Sequence, residues 1–168
     1  MVVSNKTKSI TKTEFATFGA GCFWHVEDAF RKLKGVINAT SGYSGGKIPN
    51  PSYEDVCSGK TGHAEVVQVE YDPKKINYEE LLDVFWSNHN PTQLNRQGPD
   101  VGYQYRSVIF YRSQKQKEIA TKSKWQIQNN GKWKSPIATS IEPASIFYPA
   151  EEYHQRYLEK HGMSSCKI

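Results

Sequence analysis

The 168-residue sequence has few cysteines and lacks a long apolar run. Its three cysteines, Cys22, Cys57 and Cys166, form no Cys-x-x-Cys pair, and no His-Glu-x-x-His pattern occurs. These spacings argue against a zinc site, and so sparse and odd a set indicates catalytic or redox thiols rather than a disulfide framework. No stretch of about 18 apolar residues is present, so we expect no transmembrane helix.

Long blocks of one charge are also missing. The 22 basic and 17 acidic residues give a formal charge of +5 that is spread along the chain. So diffuse an excess favours solubility over nucleic-acid binding. Residues 1–13 are rich in Ser, Thr and Lys and lack the apolar centre of a secretory signal. We therefore expect a cytoplasmic protein that binds neither nucleic acid nor membranes. We also expect a monomer, although the sequence does not reveal the oligomeric state.

The composition suits one folded domain, because 37% of the residues are hydrophobic and 12% are aromatic. We assign this domain to residues 14–160, between a flexible segment 1–13 and a flexible tail 161–168 that carries Cys166. Strand patterns alternate with helix patterns, which predicts a two-layer α+β fold with helices packed on a mixed sheet.

Individual elements follow from periodicity, caps and breakers. We predict strands at 14–19, 36–43, 63–71, 107–112 and 136–142, the last at a sheet edge because proline cannot donate to a ladder. Helices are predicted at 23–34, 53–57, 77–86, 113–129 and 150–160. Two polar, Gly- and Pro-rich loops, 44–51 and 88–106, are long enough to be candidate walls of a functional site.

Cys22 lies where the first predicted strand meets the first predicted helix, after Gly19-Ala20-Gly21. Free backbone N–H groups and the helix dipole at this position are expected to lower the pKa of its thiol. The glycines allow a substrate to come close, and Phe23 and Trp24 add two large aromatic rings. This pattern favours a nucleophile, although a free cysteine can also be a small core residue.

Glu65 shares the more apolar face of the strand 63–71 with Val67, Val69 and Tyr71. If that face covers the core, desolvation raises the pKa of the carboxyl and keeps it protonated near neutral pH. A protonated carboxyl is a proton donor. The alternative is that Glu65 lies at the open end of the strand and is solvated.

Five motifs follow one another between residues 14 and 160. They are Gly21-Cys22-Phe23-Trp24-x-x-Glu27, Gly42-Tyr43-x-Gly45-Gly46, Gly62-His63-Ala64-Glu65, Gln97-Gly98-Pro99-Asp100-x-Gly102-x-Gln104-Tyr105-Arg106-Ser107 and Glu152-Tyr153-His154-Gln155-x-Tyr157-Leu158. In this order they resemble the motifs of the A-type peptide methionine sulfoxide reductases. The resemblance implies a ferredoxin-like α+β fold and repair of methionine S-sulfoxide, free or in proteins, to methionine.

The resemblance also implies the chemical roles. Cys22 would attack the sulfoxide sulfur, Glu65 would protonate the sulfoxide oxygen, and the resulting sulfenic acid would condense with a second thiol. We assign Cys166 as this resolving residue, as relatives often carry one near the C-terminus, and expect Cys57 to be buried after a helical turn. Thioredoxin or another dithiol would regenerate the enzyme, with no metal or organic cofactor.

Five residues would bind the substrate by the same resemblance. They are Phe23 and Trp24 against the methyl group, Tyr53 and Tyr105 as hydrogen-bond donors to the oxygen, and Asp100 on the polar side. The chain departs from the family pattern at three positions, where His25, Asn90 and Tyr103 replace the usual Gly, Asp and Thr. These changes affect substrate access and remove no proposed catalytic group.

Two other functions remain open from the sequence. Cys22, His63 and Asp100 could form the nucleophile, base and orienting acid of a hydrolase or acyltransferase. That reading leaves Glu65 and the tail cysteine unexplained. A module that binds oxidised peptides without turnover is the other alternative.

Overall fold

The computed structural model describes residues 12–163. Cys166 and most of the two predicted flexible segments lie outside these residues. The described strands are β1 Glu14–Ala20, β2 Val36–Ser44, β3 Ala64–Tyr71, β4 Arg96–Gln97, β5 Asp100–Val101, β6 Ser107–Tyr111, β7 Ser140–Pro143 and β8 Tyr148–Pro149. The helices are α1 Phe23–Arg31, α2 Tyr53–Cys57, α3 Tyr78–Ser87, α4 Gln114–Asn129 and α5 Tyr157–Lys160, with 3-10 turns at Tyr103–Tyr105 and Glu152–His154.

Six strands form one mixed sheet in the order β7-β6-β1-β3-β2-β8. All neighbours are antiparallel except β6 and β7, which run parallel. The elements β1, α1, β2, β3, α3 and β6 follow the β-α-β-β-α-β order of a ferredoxin-like fold. The predicted α+β fold with helices packed on a mixed sheet is therefore confirmed.

Aromatic packing joins the helices to the central strand. The Phe18 ring on β1 stacks on Phe30 of α1 at 5.1 Å and on Phe85 of α3 at 5.3 Å between centroids. Leu81 and Leu82 of α3 are fully buried in the same core. Burial of each such side chain stabilises the fold by roughly 2 kcal/mol. This packing fixes α1 and α3 against the sheet.

The structure corrects the ends of some predicted elements. Helix α1 ends at Arg31 rather than at residue 34, because the chain turns into β2 through Gly35, whose φ is +98°. The single helix predicted at 150–160 is wrong. Arg156 adopts a left-handed conformation with φ +52°, which separates the 3-10 turn from α5. The predicted edge strand is β7, and it begins at Ser140 rather than at 136.

Strand register brings the two candidate catalytic residues to one edge of the sheet. Phe18 pairs with Val67, so the end of β1 lies beside the start of β3, where Glu65 is found. On the other side Tyr43 of β2 pairs directly with Glu65. Cys22 follows β1 by two residues and therefore lies at this same edge. Within residues 12–163, no helix combines the length and apolar content that a bilayer crossing requires.

Candidate active site

A glycine turn positions Cys22 at the start of α1. Gly21 has φ +90°, and a Cβ atom there would lie 2.7 Å from the Cβ of Gln97. Only glycine combines this conformation with so close an approach at low cost. Cys22 is the N-cap residue of α1 and is half-buried. The strand-to-helix position predicted from the sequence is confirmed.

The N–H groups of the first turn of α1 are divided between the thiol and the carboxyl. The backbone N–H of Phe23 donates to Glu65 Oε1 at 3.2 Å, whereas those of Trp24 and His25 interact with the Cys22 sulfur. The N–H of His25 also donates to the Cys22 carbonyl at 3.3 Å, and N–H groups at a helix start stabilise nearby negative charge. Both candidate catalytic groups therefore face the same helix terminus.

The Cys22 thiol is protonated at neutral pH. Burial raises its pKa to about 12, and Glu65 in its ionised form and Asp100 act in the same direction. The N–H groups of Trp24 and His25 lower it, but they do not outweigh burial. The depressed pKa that the sequence predicts is therefore wrong for the free protein.

Glu65 has the surroundings of a neutral acid. The residue is 2% exposed, and burial raises the pKa of its carboxyl to about 8. The hydrogen bond from the N–H of Phe23 acts in the opposite direction but is the smaller effect. Its Oε2 atom is buried and has no hydrogen-bond partner among residues 12–163. A carboxyl with one bonded and one unbonded oxygen is better accommodated with a proton than with a charge. The apolar-face prediction is confirmed, and the solvated alternative is wrong.

Aromatic rings form a cluster around the first turn of α1, directly after Cys22. Trp24 stacks on Tyr157 at 3.7 Å, and its indole N–H donates to His154 Nδ1 at 3.0 Å. His154 is fully buried and also contacts the rings of Phe23 at 5.1 Å and Tyr53 at 4.5 Å. This aromatic cluster brings together the predicted Phe23, Trp24 and Tyr53.

The remaining predicted polar residues come from α2 and from the loop after α3. Burial is the largest cause of the raised pKa of Tyr53 and of Tyr105, and Glu65 in its ionised form adds to the rise in both. Asp100 acts electrostatically on Glu65 and on Cys22. The structure thus brings Tyr105 and Asp100 near both the carboxyl and the thiol, and Tyr53 near the carboxyl, as the resemblance implies.

Cys22 is one of the residues that line a cavity of about 210 Å³. It is bounded by His25 and Asn88 on the helix side and by the hairpin β4–β5 with Pro99 and Asp100 on the other. Both apolar and polar atoms line it. The loop 88–106 forms part of a site wall, as its composition predicts.

His63 is unsuited to act as a catalytic base. Its Nδ1 accepts from the N–H of Gly46 at 2.9 Å, and its Nε2 lies 2.7 Å from the carbonyl of Ile48. With both ring nitrogens bonded to the backbone and the residue 2% exposed, His63 stabilises the loop 44–51. This arrangement argues against the Cys22, His63 and Asp100 triad.

The second described cysteine lies near the site and is exposed. Cys57 ends α2, four residues after Tyr53. The expectation that it is buried is wrong. Cys166 lies outside the described residues, and no group of three or more His, Cys, Asp or Glu side chains among residues 12–163 is arranged to hold a metal ion.

Three residues of the site were not predicted from the sequence. His154 and Tyr157 fall within the fifth motif, and Glu151 immediately precedes it. Their motif was the available signal, but neither spacing nor composition indicates that a segment 130 residues away contacts Trp24. The contacts depend on the return of the chain through β8.

The sequence and the fold match those of known proteins. The model of the family "Peptide methionine sulfoxide reductase" matches residues 14–168. The peptide methionine sulfoxide reductase MsrA of Methanothermobacter thermautotrophicus is 59% identical over 159 residues, which cover 95% of this chain and 94% of that protein.

Solved structures agree with these matches. The reduced form of Mxr1 from Saccharomyces cerevisiae superimposes with a TM-score of 0.83 at 43% identity and covers 93% of this chain and 90% of its own. Mxr1 in complex with Trx2 gives a TM-score of 0.59 at 34% identity, covering 92% and 91%. The match extends over nearly the whole length of each protein, and on this ground the chain belongs to the peptide methionine sulfoxide reductase family.

Proposed function

We propose that this enzyme reduces the S-epimer of methionine sulfoxide, free or within proteins, with Cys22 as the nucleophile and Glu65 as the acid. The observation that carries the proposal is the buried Glu65 carboxyl, with its pKa of about 8 and its unbonded Oε2 beside the start of α1. A sulfoxide oxygen leaves sulfur only after protonation, so the site needs an acid as well as a thiol.

The proposed step balances in atoms and electrons. The Cys22 sulfur attacks the sulfoxide sulfur while Glu65 delivers its proton to the oxygen. The hydroxyl group so formed passes to the Cys22 sulfur as the new sulfur–sulfur bond and the sulfur–oxygen bond of the substrate break, and the thiol proton replaces the one that Glu65 gave up. Methionine leaves reduced by two electrons, and Cys22 is oxidised to a sulfenic acid.

The walls of the site suit the two ends of a methyl sulfoxide. Trp24 and Phe23 would contact the methyl group, which offers only dispersion and hydrophobic contact. Tyr53 and Tyr105 would donate to the oxygen, because a tyrosine hydroxyl is protonated at neutral pH and burial raises the pKa of both further. Asp100 would bound the polar side.

Regeneration would proceed through a disulfide. The sulfenic acid of Cys22 condenses with the Cys166 thiol and releases water, and thioredoxin then reduces the disulfide. The existence of the Mxr1–Trx2 complex supports this electron donor. The electrons come from thiols, so the cycle requires no prosthetic group. We also propose that the enzyme works as a monomer in the cytoplasm, where dithiols are kept reduced.

The roles of Cys22 and Glu65 are tested by single-turnover reduction of each sulfoxide epimer with a dithiol present. Cys22→Ser should produce no methionine, and Glu65→Gln should slow the S-epimer reaction by about 10²- to 10⁴-fold. Glu70→Gln, on the same strand and half-buried, is the matched control. A Glu65→Gln rate within about threefold of the wild-type rate would contradict an acid role.

The role of Cys166 is tested separately. Cys166→Ser should keep the first turnover, since the oxygen transfer needs only Cys22, but should lose multiple turnovers with thioredoxin. Mass spectrometry of the oxidised wild type should find Cys22 joined to Cys166. A Cys22–Cys57 disulfide would overturn this assignment.

A further inference from the structure

One carboxylate outside the proposed machinery binds three groups around it. Glu151 follows β8, and its Oε1 accepts from the Tyr43 hydroxyl at 3.0 Å. Its Oε2 accepts from the backbone N–H of Tyr53 at 3.1 Å and from the Tyr153 hydroxyl at 3.3 Å. A half-buried carboxylate with donors on both oxygens is held in one orientation.

Each of the first two donors belongs to a residue next to the reacting groups. Tyr43 is fully buried, pairs across the strands with Glu65 and packs on Phe23 at 5.7 Å. Tyr53 begins α2, so a hydrogen bond to its N–H fixes the position of its Cα atom. Its ring is held separately against His154 at 4.5 Å.

Glu151 is charged, in contrast to Glu65. Burial acts to raise its pKa, but hydrogen bonds from its own N–H, from Tyr53 and from Tyr43 hold it below the ordinary value. Two carboxyl groups within one site thus have opposite protonation preferences. Such a difference indicates different tasks for the two groups.

We infer that Glu151 is a positioning residue, which holds Tyr53 and Tyr43 so that the Tyr53 hydroxyl meets the sulfoxide oxygen beside Glu65. The inference rests on the oxygen-binding role proposed for Tyr53. A hydrogen bond to that oxygen strengthens as the sulfur–oxygen bond breaks, so a displaced Tyr53 lowers kcat more than it raises KM.

Two conservative substitutions separate the effect of the length of the Glu151 side chain from the effect of its charge. Glu151→Gln keeps the length of the side chain, with an oxygen for the Tyr53 N–H and an amide N–H₂ for the Tyr43 oxygen. Glu151→Asp keeps the charge and withdraws it by one methylene. We expect kcat of Glu151→Gln within about threefold of wild type, and kcat of Glu151→Asp lower by about tenfold with KM changed less than twofold.

A double-mutant cycle with Tyr53→Phe shows whether Glu151 acts through Tyr53. Tyr53→Phe alone should lower kcat by about tenfold or more, and adding Glu151→Asp should cost less than about twofold further. Glu152→Asp, whose side chain is 91% exposed, is the control and should match wild type. Rates are measured at urea concentrations well below the unfolding midpoint of each variant. Each variant is then fully folded, so a modest loss of stability does not affect the comparison of rates.

The outcomes distinguish the inference from the function it rests on. If Tyr53→Phe is fully active, the proposed role of Tyr53 is wrong and the inference falls with it. If Tyr53→Phe is slow but the effect of Glu151→Asp is additive with it or absent, only the inference is overturned. A Glu151→Gln variant as slow as Glu151→Asp would also overturn it, because charge rather than position would then matter.

Discussion

Glu65 keeps a proton that an exposed carboxyl would release. In the folded protein burial raises its pKa to about 8, against an ordinary value of 4.5 in the unfolded chain. Between these two pH values the folded state holds a proton that the unfolded state has lost. Raising the pH through this window therefore favours unfolding.

We predict that Glu65→Gln, which cannot titrate, becomes the more stable protein relative to wild type as the pH rises. The difference between their free energies of unfolding should be constant below about pH 4.5 and should shift against wild type by about 1.4 kcal/mol per pH unit up to about pH 8. Urea unfolding at intervals from pH 4 to pH 8 measures it. Parallel stability curves for the two proteins would show that Glu65 is ionised in the fold.

Glu65 and Cys22 show how far the chemistry of a site can be predicted from a sequence. Strand alternation places Glu65 on the same face as Val67 and Val69. Because apolar side chains on one face of a strand predict that the face is buried, the raised pKa of the Glu65 carboxyl could be predicted from the sequence. The pKa of Cys22 was predicted in the wrong direction. Its position at the helix start is a local property, whereas the burial that outweighs it comes from tertiary packing, to which the β4–β5 hairpin contributes.

Among the helices and strands, the sequence predicted correctly those boundaries that depend on residues close together in the chain. Asn77 and Ser113 cap α3 and α4 through Glu80 and Gln116, as the capping patterns indicate. The break at Arg156 carries no Gly or Pro signal, so the C-terminal helix was predicted as continuous. The two-residue strand β8 is defined by its pairing with β2 and is too short to have a periodic pattern.

The turn between β1 and α1 provides a test at this scale. Gly21→Ala should lower the free energy of unfolding by roughly 2–4 kcal/mol and slow the first turnover, because it combines a left-handed backbone with a clash against Gln97. Gly59→Ala is the control, since Gly59 has φ +75° with nothing within 4 Å of the added Cβ. Its cost should be only about 1–2 kcal/mol, with the turnover rate unchanged. Equal losses in urea unfolding and equal rates would contradict a role for the close approach.

In the whole molecule, the site is closed by a segment that returns from the far end of the chain. The Gln155 side chain donates to the carbonyl of Ser41 and accepts from its N–H, each at 2.9 Å. Arg31 Nη1 lies 3.8 Å from Glu159 Oε2. These contacts fix residues 148–160 against β2 and α1, and with them His154 and Glu151. Pairings over more than a hundred residues leave no local pattern, which is why sequence reasoning assigned this segment no role in the site.

The raised pKa of Cys22 also bears on survival of the protein under the conditions that create its substrate. Hydrogen peroxide attacks thiolates far faster than thiols, and repeated attack carries a cysteine to sulfinic and sulfonic acids that ordinary reductants do not reverse. A sulfur kept protonated by its surroundings is slow to enter that irreversible sequence. The burial that raises the pKa of the Cys22 thiol thus disfavours the thiolate on which the first oxidation step depends.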